Sequence, residues 1–177
     1  DAWLDPVIVL EPRPLYAQRG EVVTGEEGIL EIGKARIVRT GSAATLVTLG
    51  QTTGIAIAAA ESADLDVEIV DLLTLVPWDM QTVLDSVLKT GRLIVVEASP
   101  ASGGWGSEIL ASVTSRAFGS LKAAPFRITS PDVPVPYAKD LEARYLTEPD
   151  EIVTQVSEYL RTGLSPEPWW IREGVAR

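Results

Sequence analysis

Residues 67–96 read VEIVDLLTLVPWDMQTVLDSVLKTGRLIVV, and this stretch decides the fold. It opens with a Val/Ile/Leu run, Val67 to Leu72, and closes with another, Leu93 to Val96. Short apolar runs barely broken by polar residues suit strands covered on both faces of a parallel sheet. Between them Met80, Val83, Leu84, Val87 and Leu88 fall at i, i+3, i+4, i+7 and i+8, the single apolar stripe of a helix over 79–89. Asp79 is placed to cap its start and Gly91 to stop its end.

Working outward, the same alternation continues. Ala35 to Val38, Thr45 to Leu49 and Phe126 to Thr129 read as further strands, and 53–63, 107–118 and 148–160 as helices. In the last of these Thr147 and Asp150 have the spacing of a capping box, and Ile152, Val153, Val156, Tyr159 and Leu160 repeat the stripe. The pattern predicts an α/β fold: a doubly wound, mostly parallel five-stranded sheet with helices on both faces. The main domain spans 34–163. Ahead of it, Val7 to Leu10 is a β-rich run halted by Pro12 and Pro14, expected to be the end of a preceding unit occupying 1–20, with 21–33 a Gly- and acid-rich linker. Residues 164–177 form a C-terminal extension whose Trp169 and Trp170 are costly to leave wet, so they are expected to dock on this domain or a partner.

Composition removes several functional classes. The chain has 177 residues, 46% of them hydrophobic, enough for one good core and too few for two full-sized domains. Its 25 acidic and 15 basic residues give a net charge of -10, which disfavours nucleic acid and anionic membrane surfaces and favours a basic protein partner. With no cysteine and no histidine, thiolate chemistry, the commonest neutral-pH base and the commonest zinc or iron ligand are all missing. Thr40 to Ala60 carries no charge but is broken by Gly41, Gly50, Gln51 and Gly54, and reads as strand, turn and helix instead of a membrane span. The start has acids and Pro6 where an export signal needs a basic end, and beginning at Asp1 suggests a processed or excised piece.

Three groups of residues could carry function. Gly103, Gly104, Trp105 and Gly106 follow a strand and open a helix, where backbone N–H groups can meet a phosphate, yet the spacing lacks the third glycine of a dinucleotide loop. Close packing of the helix end, with Trp105 free to lie on a neighbouring subunit, is the expectation. Asp71 and Glu97 each end a predicted strand at the ligand-binding edge of such a sheet; a carboxylate pair there can do acid–base work, but edge carboxylates more commonly cap helices or face water. Pro131, Pro134 and Pro136 stiffen an extended segment that presents Tyr137 beside Asp132, Asp140 and Glu142, an acidic rim around an aromatic anchor.

These stretches together resemble the C-terminal domain of the β subunit of pyruvate and branched-chain 2-oxo acid dehydrogenases, a fold shared with transketolase. The resemblance runs through Leu10-Glu11-Pro12 with Leu15-Tyr16, Ile32 to Ala35, Val70 to Asp79, Ser86 to Leu93, Gly103 to Ile109 and Asp132 to Glu142. It implies a parent enzyme that uses thiamine diphosphate and Mg held elsewhere, so no catalytic, cofactor or metal residue falls on this chain. It further implies contacts with the E1 α subunit and a second β subunit at Gly103, Gly104, Trp105, Gly106 and Glu108. Docking of the basic subunit-binding domain of a lipoyl acyltransferase is implied at Asp132, Tyr137, Asp140 and Glu142. The implied location is the bacterial cytoplasm or the mitochondrial matrix. Leu73 departs from the family, which usually carries Arg there, and the extension after Leu164 runs past the end of many relatives. Two other readings stand beside this one: the same domain in another transketolase-type synthase, and a self-sufficient small-molecule-binding α/β enzyme.

Overall fold

The structure, a computed structural model, describes residues 6–175. Residues 1–5 of the expected preceding unit and 176–177 of the extension lie outside the described residues.

Five strands form one sheet: β1 (Arg36–Arg39), β2 (Ala44–Thr48), β3 (Val67–Asp71), β4 (Leu93–Pro100) and β5 (Phe126–Ser130), in the order β1-β3-β2-β4-β5. β2 to β5 run parallel, while β1 pairs antiparallel with β3 at one edge. The helices are α1 (Gln51–Ser62), α2 (Met80–Thr90), α3 (Gly106–Ala117), α4 (Lys139–Tyr145), α5 (Pro149–Thr162) and α6 (Trp169–Arg172). The chain winds outward from β2 to β3, then crosses to the far side for β4 and β5, the order reversal of a doubly wound sheet.

The period of two along each strand divides the core into two layers. Leu46 lies in register between Ile69 and Ile94, and these side chains, with Val67, Val96, Phe126 and Ile128, meet the small face of α1 (Ala56, Ala59, Ala60) and the stripe of α5 (Ile152, Val156, Tyr159). Val47 lies between Val70 and Val95 and points to the opposite face, where Val83 and Val87 of α2 and Ile109 and Val113 of α3 cover it. Tyr159 packs its ring 4.9 Å from Phe126 and donates its hydroxyl to the Ala124 carbonyl at 3.1 Å. Burial pushes its pKa up to about 12, with nearby Arg92 opposing. A buried hydroxyl chain, Thr45 with Ser86 at 2.7 Å and with Thr90 at 2.8 Å, joins β2 to α2.

The decisive stretch folds as its pattern predicts. Asp79 accepts the Thr82 N–H at 3.2 Å as the α2 N-cap, and Gly91, at φ 74°, ends the helix in the left-handed region that glycine adopts most freely.

Four expectations need correction. Thr147 and Asp150 make no capping box: Glu148 is the N-cap of α5, Pro149 fills the first turn, and the buried Thr147 hydroxyl has no partner among the described residues. Proline needs no N–H partner there, so the helix starts without the side-chain cap. β4 continues past Val96 to Pro100, so Glu97 lies inside a strand and not at its end. The helix after β2 begins at Gln51, two positions before Thr53. Finally α4 and α6 occupy stretches that carried no predicted helix.

Candidate functional site

Glu97 is the centre of the most elaborate polar cluster in the domain. Its side chain is fully buried, and Arg127 of β5 donates to Oε1 at 2.8 Å. Ser99 donates its hydroxyl to Oε2 at 2.8 Å and Gly106 its backbone N–H at 3.1 Å. Arg127 also donates to the Ala101 carbonyl at 2.7 Å, so one ion pair fixes both the strand and the loop that follows it. A buried carboxylate survives only when paired and hydrogen-bonded, and here its partners come from its own strand (Ser99), the first residue of α3 (Gly106) and the adjacent strand β5 (Arg127).

This carboxylate explains two glycines of the Gly103 to Gly106 loop. A Cβ on Gly104 would stand 2.5 Å from Glu97 Oε2, and one on Gly106 would stand 2.8 Å from both Oε1 and Val95 Cγ1. Gly103, at φ 74°, instead supplies the left-handed turn, with open space around it. The packing reading therefore holds for Gly104 and Gly106. A phosphate or the diphosphate of thiamine does not fit here, because the Gly106 N–H is already donated and the space beside the glycines holds a carboxylate. Trp105 is half-buried, leaning on the α2–α3 layer of the core with its remaining surface exposed. Glu108, in the first turn of α3, is exposed and accepts the Ser112 hydroxyl at 2.7 Å.

The second group is joined to the first. Asp132 accepts both the N–H of Ser102, at 2.8 Å, and its hydroxyl, at 2.7 Å. These two bonds, backbone first, hold its carboxyl below the usual aspartate range with help from Arg127. Asp132 thus ties the proline segment to the glycine loop. Tyr137 stands fully in solvent, and Asp140 and Glu142 are exposed in the first turn of α4.

Asp71 and Glu97 do not form an acid–base pair. β2 runs between their strands, which separates them by about two strand spacings, ~10 Å. Asp71 is instead bound by Arg36 of β1 at 3.1 Å. The crevice at the carboxyl edges of β2 and β4, where sheets of this order place ligands, is also occupied from within. The Thr52 hydroxyl reaches back to the Val96 carbonyl at 3.0 Å, and the ring of Pro12 lies over Gly50, where a Cβ would meet it at 3.2 Å.

Sequence reasoning passed over Arg127 and Ser102. The signal for Arg127 was present: it is the one charge in the otherwise apolar and hydroxyl-bearing run Phe126 to Ser130, and a lone charge inside a strand needs a buried counter-charge. Ser102 carried no signal. Leu73, at φ 59°, turns the chain after β3 and is half-buried.

Comparison with known proteins agrees with this fold. The family model for the transketolase C-terminal domain matches residues 33–152. The chain is 46% identical over 155 residues to the pyruvate dehydrogenase E1 component subunit beta of Rhizobium meliloti, covering 86% of this chain and 34% of that protein. It is 39% identical to the acetoin:2,6-dichlorophenolindophenol oxidoreductase subunit beta of Cupriavidus necator, covering 90% and 48%. It is 37% identical to the mitochondrial 2-oxoisovalerate dehydrogenase subunit beta of Dictyostelium discoideum, covering 75% and 37%. The chain therefore spans between about a third and a half of the length of these relatives. Among solved structures, a split-gene transketolase in an inactive β4 tetramer superposes with a TM-score of 0.64 at 25% identity, over 80% of this chain and 46% of that one. A homologue of 2-oxo acid dehydrogenase E1 β subunits over most of its length, the chain belongs to the transketolase C-terminal domain family.

Proposed function

We propose that this domain is the non-catalytic assembly part of the β subunit of a thiamine-diphosphate-dependent dehydrogenase that oxidatively decarboxylates pyruvate or a branched-chain 2-oxo acid. The observation that carries the reading is the internal use of the polar groups at and beside the ligand edge: Glu97 and Thr52 are bound to the domain itself, and Asp71 is paired through Oδ2 with Arg36, its buried Oδ1 having no partner among the described residues. Thiamine diphosphate and Mg are assigned to parts of the enzyme outside this chain. The Gly103 to Gly106 loop, with Trp105 and Glu108, contributes to contacts with the E1 α subunit and the second β subunit. The segment of Asp132, Tyr137, Asp140 and Glu142 receives the basic subunit-binding domain of a lipoyl acyltransferase. The enzyme works in the cytoplasm of a bacterium or in the mitochondrial matrix.

The arm before the domain supports a preceding pyrimidine-binding unit that includes residues 1–20. Val7, Ile8, Val9 and Leu10 are 57% to 83% exposed, a consecutive apolar run that a folded protein keeps covered. Residues 21–33 are then the linker, tied to the domain by the Gly33 N–H on Thr74 Oγ1 at 3.0 Å, just ahead of the Ala35 N–H on Asp79 at 3.1 Å inside the domain. The likeness to a split-gene transketolase favours the same domain in a transketolase-type synthase as a second reading. Titration calorimetry of the 177-residue chain with thiamine diphosphate and Mg tests the proposal. No saturable heat is expected; saturable micromolar binding overturns it.

A further inference from the structure

The residues after α5 fold back onto α4. Gly163, at φ 71°, ends α5, and Pro168 starts the short α6. Trp170 is 5% exposed, and Trp169 stands edge-on to it with ring centroids 6.0 Å apart at 88°. The guanidinium of Arg144 in α4 lies 4.9 Å from the centroid of the Trp169 ring and is ion-paired with Glu173. Arg172 reaches Glu151 of α5 at 3.6 Å, so the extension is fastened to both helices. Trp169 and Val175 also wall an apolar cleft of about 200 Å³ opposite Pro136, Leu141 and Tyr145.

α4 has little else to hold it. It is seven residues long, its start has no side-chain cap, and Tyr145 is its one buried residue. An isolated helix of about that length is unstable in water, so its order has to come from tertiary contacts. We infer that residues 164–175 form a clasp, anchored on α5 by Arg172, whose Trp169 and Glu173 hold α4 in its helical, docked state. The clasp stands on these contacts alone. Its consequence, that it sets the position of Asp140 and Glu142 for a partner, rests on the proposed function.

Hydrogen exchange on the 177-residue chain tests the clasp without any partner, so its failure is distinct from failure of the docking reading. Trp169→Ala should raise exchange at the amides of 141–146 by about tenfold or more, with the β2 to β4 amides unchanged. Glu173→Gln, a milder change, should raise the same amides by about two- to threefold. Unchanged α4 exchange in Trp169→Ala overturns the inference. So does a loss of protection spread equally over the sheet in both variants, which would make the extension part of the core and not a clasp.

Discussion

At the scale of single residues, the glycine loop separates two reasons for glycine that look alike in sequence. Gly104 is required by close approach, since its missing Cβ leaves room for the buried Glu97 carboxylate. Gly103 is required by its backbone angle alone. Glu97 has nowhere to go, because Arg127, Ser99 and the Gly106 N–H hold both its oxygens. Gly104→Ala should therefore destabilise the domain by about 2–4 kcal/mol, combining overpacking with displacement of a buried charge. Gly103→Ala, with open space around it, should cost about 1 kcal/mol, the penalty of a left-handed alanine. Urea denaturation of both variants decides; equal losses would mean that the Glu97 cluster yields to the methyl group. If the cluster is what matters, Glu97→Ala in the Gly104→Ala background should show strong non-additivity, because the two changes share one contact.

At the scale of elements, α2 shows how a helix start also fixes a linker. The Asp79 carboxylate accepts from Thr82 N–H, from Thr82 Oγ1 and from Ala35 N–H, so it caps the helix and pins the entry to β1 at once. Burial pushes its pKa up, but these hydrogen bonds and Lys34 more than reverse that, leaving it below the ordinary 3.8. A carboxyl whose folded pKa is depressed contributes stability above its unfolded value and loses it as pH falls through the folded one. Asp79→Ala should thus cost about 2 kcal/mol at neutral pH, the lost cap plus an unsatisfied amide. The deficit should begin to shrink below about pH 4, where the unfolded carboxyl takes up its proton, and go on shrinking until pH has passed the depressed folded value. Urea midpoints from pH 2.5 to 7 measure this, and a deficit constant across that range would show that the charge is irrelevant. The α2 start was legible because cap, stripe and stop agreed. The same logic failed at Thr147, where a box-like spacing competed with Pro149, which opens α5 without a cap. α4 was illegible because a short helix with one buried residue has no stripe to read. The antiparallel setting of β1 was equally silent, since the pattern of Arg36 to Arg39 does not record direction.

At the scale of the whole molecule, the net charge of -10 is the property that acts before contact. Acidic surface draws a basic partner from a distance, and the effect falls as the Debye length shrinks from about 30 Å at 0.01 M salt to about 8 Å at 0.15 M. The acids of the proposed docking segment are not equivalent. Asp132 is engaged by Ser102 and serves the loop, whereas Asp140 and Glu142 are exposed in the first turn of α4 beside the fully exposed Tyr137. Rim charges act mainly on encounter, and a buried aromatic anchor acts mainly on residence. In the complete heterotetramer of the proposed parent enzyme, Asp140→Lys with Glu142→Lys should slow association with the proposed acyltransferase binding domain by about tenfold at 0.01 M salt and change dissociation little. The difference from wild type should narrow toward 0.15 M. Tyr137→Ala should do the reverse, leaving association nearly intact and speeding dissociation. Two lysines at the start of α4 also oppose its dipole, by about 0.3–1 kcal/mol each, so exchange at the α4 amides has to be followed in the same variant. Surface plasmon resonance at both salts reads both rates. An association rate unchanged at low salt, with α4 still protected, would remove this segment from the docking surface and leave its acids as a solvated helix face.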